Sequence, residues 1–233
     1  MTTFRQLIAS LGLTLSTEQE NQFRIYYEML VETNEQFNLT AITKQEEVYI
    51  KHFYDSLLTV DSNIMKHSNT LCDIGTGAGF PGIPIKIMYP HIKLTLIEPT
   101  TKKVTFLTQL VNRLGLTGVT IENKRAEDII GVYREQFDVV TARAVARLNT
   151  LAELCIPFVR IGGLFVSLKG AMYLEELEEA NHAITKLGGS ILQVKKLDLP
   201  GDLGVRGLIL IEKTSKTNPQ FPRSYATIKK RPL

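Results

Sequence analysis

The chain has 233 residues, of which 44% are hydrophobic and 22% charged, the balance of a globular protein with room for one α/β domain and a modest extension or for two small ones. No apolar run approaches a membrane span, and Met1-Thr2-Thr3-Phe4-Arg5-Gln6 lacks a basic-then-apolar signal pattern. A membrane is therefore not expected as a partner, and the cytoplasm is the expected compartment. The net charge of +3 is uneven: residues 213–233 hold six basic residues and no acid, and the remainder is net −3. A basic tail on a mildly acidic body points towards a polyanion, or is simply a solvated end.

In chain order, residues 2–11 suit a short helix closed by Gly12. Ser16-Thr17-Glu18-Gln19 is a capping box that opens a long amphipathic helix with Phe23, Tyr27, Leu30, Asn34 and Phe37 on one side. Asn38-Leu39-Thr40-Ala41-Ile42 breaks it. Thr43-Lys44-Gln45-Glu46 reads as a second capping box, starting a helix with Val48, His52, Phe53 and Leu57, and with Asp55 and Ser56 beside them. His52 reads chiefly as a structural hydrogen-bonding residue.

From residue 69 the periodicity changes. Strands are expected at 70–74, 93–98, 119–123, 137–142 and 164–169. Helices follow them at 81–89, at 101–114 stopped by Gly115, weakly after strand 3, at 149–158, and at 174–187 stopped by Gly188-Gly189. Two further strands, 191–199 and 207–213, have no helix between them. This is an α/β fold with a doubly wound, seven-stranded sheet. The expected organisation is an N-terminal helical extension over 1–66, a core over 67–213 and a basic tail over 214–233.

Leu71-Cys72-Asp73-Ile74-Gly75-Thr76-Gly77-Ala78-Gly79-Phe80-Pro81-Gly82 reads as a buried strand, a glycine turn and a helix start. Gly77-x-Gly79-x-x-Gly82 fits the dinucleotide fingerprint. Asp73 would then face a pyrophosphate, and like charges repel. An acid before Gly75-x-Gly77-x-Gly79 better suits a cationic ligand such as S-adenosylmethionine, which carries an ammonium and a sulfonium. Glu98, ending strand 2, suits ribose hydroxyls for either ligand. A tight turn with no ligand is the plain alternative.

In such a sheet the ligand lies over the carboxyl ends of the strands. These ends nominate Asp73 with Gly75, Gly77 and Gly79, then Glu98, then Arg125, Ala126 and Glu127, then Arg143, then Lys169. Arg206 precedes strand 7. Neither cysteine, Cys72 or Cys155, belongs to a Cys-x-x-Cys or follows strand 4 or 5, so neither a metal site nor a thiol nucleophile is expected. The four histidines show no metal-ligand spacing. After strand 4, Thr141-Ala142-Arg143-Ala144 lacks the acceptors and ring that amine methylation uses. The cations Arg125, Arg143, Lys169 and Arg206 suit an anionic substrate that is already nucleophilic, such as guanine nitrogen 7. Ion pairs with Glu98, Glu127 or Asp138 are the structural alternative for each.

These segments together resemble the RsmG/GidB family of bacterial 16S ribosomal RNA guanine-N-7 methyltransferases. The resemblance is carried by Asn38-Leu39-Thr40-Ala41-Ile42, His52 with Asp55-Ser56, and Asp73-Ile74-Gly75-Thr76-Gly77-Ala78-Gly79-Phe80-Pro81-Gly82-Ile83-Pro84. It continues in Arg125-Ala126-Glu127, Thr141-Ala142-Arg143-Ala144, Leu168-Lys169-Gly170 and the Arg206 strand, and so spans nearly the whole chain. It implies S-adenosylmethionine contacts at Gly75, Phe80, Ala126, Glu127 and Arg143. It implies RNA-side or catalytic roles for Arg125, Lys169 and Arg206, with 16S rRNA or the small ribosomal subunit as partner and DNA not expected. Where the family commonly has Asp after strand 2, this chain has Glu98, which keeps the ribose acceptor. A nicotinamide-dinucleotide oxidoreductase, a small-molecule methyltransferase and a non-catalytic, S-adenosylmethionine-containing RNA-binding protein are the rival readings.

Overall fold

The computed structural model describes residues 3–59, 62–143 and 146–233. Thr2 of the first expected helix, and Ala144 of the segment after strand 4, lie outside them. Helix α1 (Phe4–Ser10) is capped by a Thr3–Gln6 box, and α2 (Thr17–Gln36) by the expected Ser16–Gln19 box. The buried stripe of α2 is Phe23, Tyr26 and Leu30. Tyr26 therefore takes the place expected for Tyr27: positions i+3 and i+4 lie on the same broad face as Phe23 and Leu30, and packing selects the i+3 side. Phe37 leaves the helix in an extended conformation. Asn34 Oδ1 accepts the N–H groups of Leu39 (2.7 Å) and Thr40 (2.9 Å), which shapes the break after α2.

Helix α3 (Gln45–Val48) begins one residue later than its expected box: Lys44 is the N-cap, and no side chain caps it. Thr43, displaced to the position before the cap, is out of reach of the helix's free N–H groups. A π-helical stretch (Tyr49–Tyr54) and α4 (Asp55–Leu57) follow, then α5 (Ser62–His67).

The core alternates β1 (Thr70–Ile74), α6 (Gly82–Met88), β2 (Lys93–Ile97), α7 (Thr101–Arg113), β3 (Val119–Glu122), α8 (Ala126–Tyr133), β4 (Phe137–Arg143), α9 (Leu148–Cys155), β5 (Val159–Lys169) and α10 (Tyr173–Lys186). The hairpin of β6 (Gly189–Asp198) and β7 (Val205–Lys213) and a last helix, α11 (Tyr225–Lys230), complete it. The sheet order is β3-β2-β1-β4-β5-β7-β6, with β7 antiparallel to both neighbours and β1 to β5 mutually parallel. Right-handed crossovers put helices on both faces of such a sheet and leave the switch point between β1 and β4. β5 starts earlier than its apolar run because Gly162-Gly163 forms a bulge opposite β4, where a Cβ on Gly163 would stand 2.7 Å from the Asp138 carbonyl.

Two apolar layers flank the sheet. One joins α1, α2, the π-helical stretch, α6 and α7; the other joins α8, α9, α10 and α11. Among the described residues no helix is long and apolar enough to cross a membrane. The tail is folded against the second layer: Phe221 and Ile228 are buried, and Arg223 forms an ion pair at 2.6 Å with Glu153, itself fully buried. Lys213 is also buried, facing Glu135 and the Ile156 and Leu187 carbonyls. Of the six cations over 213–233, Lys213 is thus internal and Arg223 is half-buried on Glu153, because a buried carboxylate needs a counter-charge.

Candidate active site

The glycine turn is built by its neighbours. Gly75, Gly77 and Gly79 all have positive φ, at 68°, 63° and 103°. The Tyr26 hydroxyl donates to the Ala78 carbonyl at 2.6 Å, and its ring stacks on Phe80 at 5.2 Å. A Cβ on Gly79 would stand 2.7 Å from that hydroxyl oxygen, so only glycine fits beneath Tyr26. A Cβ on Gly77 would meet nothing within 4 Å, which leaves the outer side of the turn open to a ligand.

Asp73, at the end of β1, is fully buried. Its Oδ2 accepts the Thr76 hydroxyl at 2.6 Å and the Gly82 N–H at 2.8 Å, locking the turn to the start of α6. Its Oδ1 is buried with no partner among the described residues. Burial pushes this carboxyl up to about 6, against the pull of its two hydrogen bonds. A buried carboxylate oxygen without a partner calls for a hydrogen-bond donor, which an ammonium supplies and a pyrophosphate does not. Glu98 accepts the Gly77 N–H at 3.0 Å on one oxygen and the Thr100 N–H at 2.9 Å on the other. It ties the turn to β2 and retains a second lone pair on each oxygen.

Beside the turn lies a cavity of about 360 Å³. Arg143, from the end of β4, lies over the Phe80 ring at 5.0 Å and pairs with Asp55 at 2.9 Å. Arg206, at the start of β7, pairs with the other oxygen of Asp55 at 2.7 Å. One buried carboxylate from α4 thus holds two guanidinium groups. Lys169, at the end of β5, donates to the Ala146 carbonyl at 2.6 Å and pairs with Glu176 at 2.7 Å. Its ammonium keeps one hydrogen for the cavity.

His52 stacks on Phe80 at 4.6 Å and bonds the Thr40 hydroxyl through Nε2 at 2.8 Å. Arg143 Nη2 lies 3.2 Å from Nδ1, so Nδ1 accepts and Nε2 carries the proton. Burial, with the Arg143 charge beside it, pulls His52 down to about 4, so the ring is neutral near pH 7.

The sequence of this scaffold decides its kinship. Residues 19–202 match the family described as GidB, rRNA small subunit methyltransferase G. The chain belongs to this family. Similar relatives are the ribosomal RNA small subunit methyltransferases G of Staphylococcus carnosus and Limosilactobacillus reuteri. The first is 47% identical and aligns over 95% of this chain and 93% of its own. The second is 46% identical over 99% and 98%. The precorrin-6y C5,15-methyltransferase of Geobacter metallireducens shares the fold, with TM-score 0.52, 15% identity and coverage of 75% and 90%. As a member of the GidB family the protein is an S-adenosylmethionine-dependent methyltransferase.

The residues present fit that cofactor. The open glycine turn, the unpartnered Asp73 oxygen and the lone pairs of Glu98 would hold its amino-acid and ribose parts, where it would supply an electrophilic methyl group on a sulfonium. Ala126, buried, and Glu127, half-buried, open α8 after β3, on the same edge of the sheet as the turn.

The structure divides the expected catalytic trio. Lys169 and Arg206 line the cavity with Arg143, whereas Arg125 is exposed as the N-cap of α8 and lies over the Tyr225 ring at 5.2 Å. The counter-charges also differ from those expected. Arg143 and Arg206 pair with Asp55, and Lys169 with Glu176; Asp138 pairs with Arg160 instead. Sequence reasoning assigns no counter-charge to Asp55 and does not reach Tyr26 or Glu176. The signals for Asp55 are an acid on an otherwise apolar helical face and its place in the family resemblance, and neither names its partners. Both cysteines are buried, and burial pushes their thiols up, so neither is a thiolate near neutral pH.

Proposed function

We propose that the protein methylates nitrogen 7 of a guanine in small-subunit ribosomal RNA, in the decoding-region loop, with 16S rRNA or the small subunit as its partner and the cytoplasm as its compartment. The names of its relatives support the RNA class. The observation that supports the atom is that both carboxylates lining the cavity among the described residues are already ion-paired. Both oxygens of Asp55 serve arginines, Glu176 Oε2 takes the Lys169 ammonium and the Leu148 N–H, and His52 is committed through both nitrogens, so none of them is placed as a ready general base. An exocyclic amine loses a proton on methylation and needs a base nearby. Guanine nitrogen 7 has a free lone pair and loses none. What it needs is orientation, which can supply roughly 7 kcal/mol or more.

Arg206 is the best-placed group for that task. Its Nε is fixed on Asp55, its Nη1 is on the Val205 carbonyl, and Nη2 has no partner among the described residues. Arg143 and the Lys169 ammonium add positive charge for guanine O6 or the adjacent phosphates. Asp73, Gly75, Gly77, Gly79, Phe80, Glu98, Ala126, Glu127 and Arg143 serve the cofactor in this reading.

The test is transfer from labelled S-adenosylmethionine to small-subunit particles and to naked RNA, both from cells lacking the protein, with the modified base mapped. One guanine methylated at nitrogen 7 is the expected product. Label on an exocyclic amine or on carbon 5 of a pyrimidine would overturn the reading, and cofactor binding with no transfer to either substrate would favour a non-catalytic role.

A further inference from the structure

The folded tail brings a second set of cations to the carboxyl edge of the sheet, outside the methyl-transfer cavity. Arg125 caps α8 after β3, and Arg147 caps α9 after β4. Helix α11 lies beside both: Tyr225 receives Arg125 on its ring, and Tyr225, Lys229 and Arg147 line one cavity of about 400 Å³. Lys229, Lys230 and Arg231 are exposed. The single carboxylate in the lining, Glu179, is already paired with Arg147 at 2.7 Å.

Two observations separate this surface from a merely solvated end. It is anchored, since the buried Glu153–Arg223 pair, Phe221 and Ile228 fix α11 to the core. It also neighbours the methyl-transfer cavity, because Ala146 lines this cavity while its carbonyl holds Lys169, which lines the other.

We infer that the face between α8, α9 and α11 is a second RNA surface, a groove that grips the single-stranded phosphodiester backbone flanking the target guanine. Cations on a fixed scaffold bind phosphates by counterion release, and an aromatic ring beside them offers a stacking face to an unpaired base. Asn149 and Thr150 add neutral polar groups to the lining. The groove is about the size of one nucleotide and its phosphate, which suits a strand passing through and not a folded protein partner. This inference rests on the proposal that RNA is the substrate.

Deleting the tail would uncover the core, so the test uses exposed side chains. K229Q/K230Q/R231Q is compared with a control of equal charge loss elsewhere on the surface, R113Q/K195Q/K196Q. Binding of a single-stranded small-subunit RNA fragment is measured across a salt series, with cofactor affinity and melting temperature as controls on the fold. The α11 triple is expected to weaken binding about tenfold near 0.1 M salt. It should lower the slope of log K against log salt by about 2, at about 0.7 for each phosphate no longer neutralised. The control triple is expected to leave both nearly unchanged. Equal effects of the two triples, or none from either, would overturn the groove. A wild-type protein that binds the fragment through the groove yet transfers no methyl group would sink the proposed reaction and keep the surface. A wild type that binds no RNA would sink both.

Discussion

Replacing Asp55 by Asn keeps the shape of the side chain and removes the charge that two guanidinium groups share. Arg143 and Arg206 then face a neutral amide at 2.9 and 2.7 Å. Removing one partner of a buried ion pair costs about 3–5 kcal/mol, because the remaining charge stays desolvated. The Arg206 side chain is 23% exposed and can rehydrate, whereas that of Arg143, at 12%, cannot. The expected loss is therefore at the low end, about 3 kcal/mol. For a chain of this size that is a fall in melting temperature of roughly 6–12 °C. The assay is thermal unfolding of Asp55→Asn, Arg206→Gln and the double variant. Arg206→Gln alone leaves Asp55 with Arg143 and should cost about 1 kcal/mol. Once Asp55 is neutral, removing Arg206 relieves a like-charge contact. The double variant should therefore be less damaged than the sum of the two, by about 0.5–3 kcal/mol. A melting temperature for Asp55→Asn within about 2 °C of wild type would refute the reasoning.

Four further outcomes follow from the same geometry. Asp73 sits at about 6 in the free protein, and a bound ammonium favours its charged form. Cofactor affinity measured calorimetrically should therefore fall as pH drops below 6, and a flat profile from pH 5 to 7.5 would remove Asp73 as the ammonium's partner. His52 is held at about 4, below its ordinary 6.5, so the unfolded chain takes up the proton first as pH falls. The stability of wild type relative to His52→Gln should then decline as pH falls from 6.5 towards 4, as read by denaturant melts at each pH. A Cβ on Gly82 would stand 2.8 Å from Leu96 Cδ2 and 2.9 Å from Asp73 Oδ2. Gly82→Ala should cost about 1–3 kcal/mol in a thermal melt and weaken cofactor binding as Asp73 is displaced. Arg223→Leu leaves the Glu153 carboxylate buried without its cation. It should cost about 3 kcal/mol or more and expose residues after Lys213 to limited proteolysis, whereas a tail that stays protected would show that Phe221 and Ile228 hold it alone.

What was legible in the sequence was whatever is encoded locally. The alternation of apolar strands with amphipathic helices, the Ser16–Gln19 capping box and the positive-φ glycines at 75, 77 and 79 act over a few residues, and the structure has each of them. The acid ahead of the glycine turn already favoured a cationic ligand, because the sign of a charge needs no coordinates. Element edges were less legible. Thr43 failed as a cap because the helix began one residue later, and strand 5, expected from residue 164, begins at Val159 and runs through Gly162-Gly163 as a bulge.

Pairing was decided only by the tertiary structure. Asp55 lies 88 residues from Arg143 and 151 from Arg206, and no local pattern couples them. The same holds for Tyr26 beneath the glycine turn, Glu176 beside Lys169 and Glu153 beside Arg223. The basic tail shows the limit most clearly. Composition counts its charges alike, yet folding buries Lys213, pairs Arg223 and leaves Lys229, Lys230 and Arg231 in solvent. Sequence by itself thus determined the family, the sheet, the glycine turn and the residue types at the strand ends. Which of those charges face one another was decided by packing. A buried ion is tolerated only beside its counter-ion, and the chain contacts that bring the two together span most of its length.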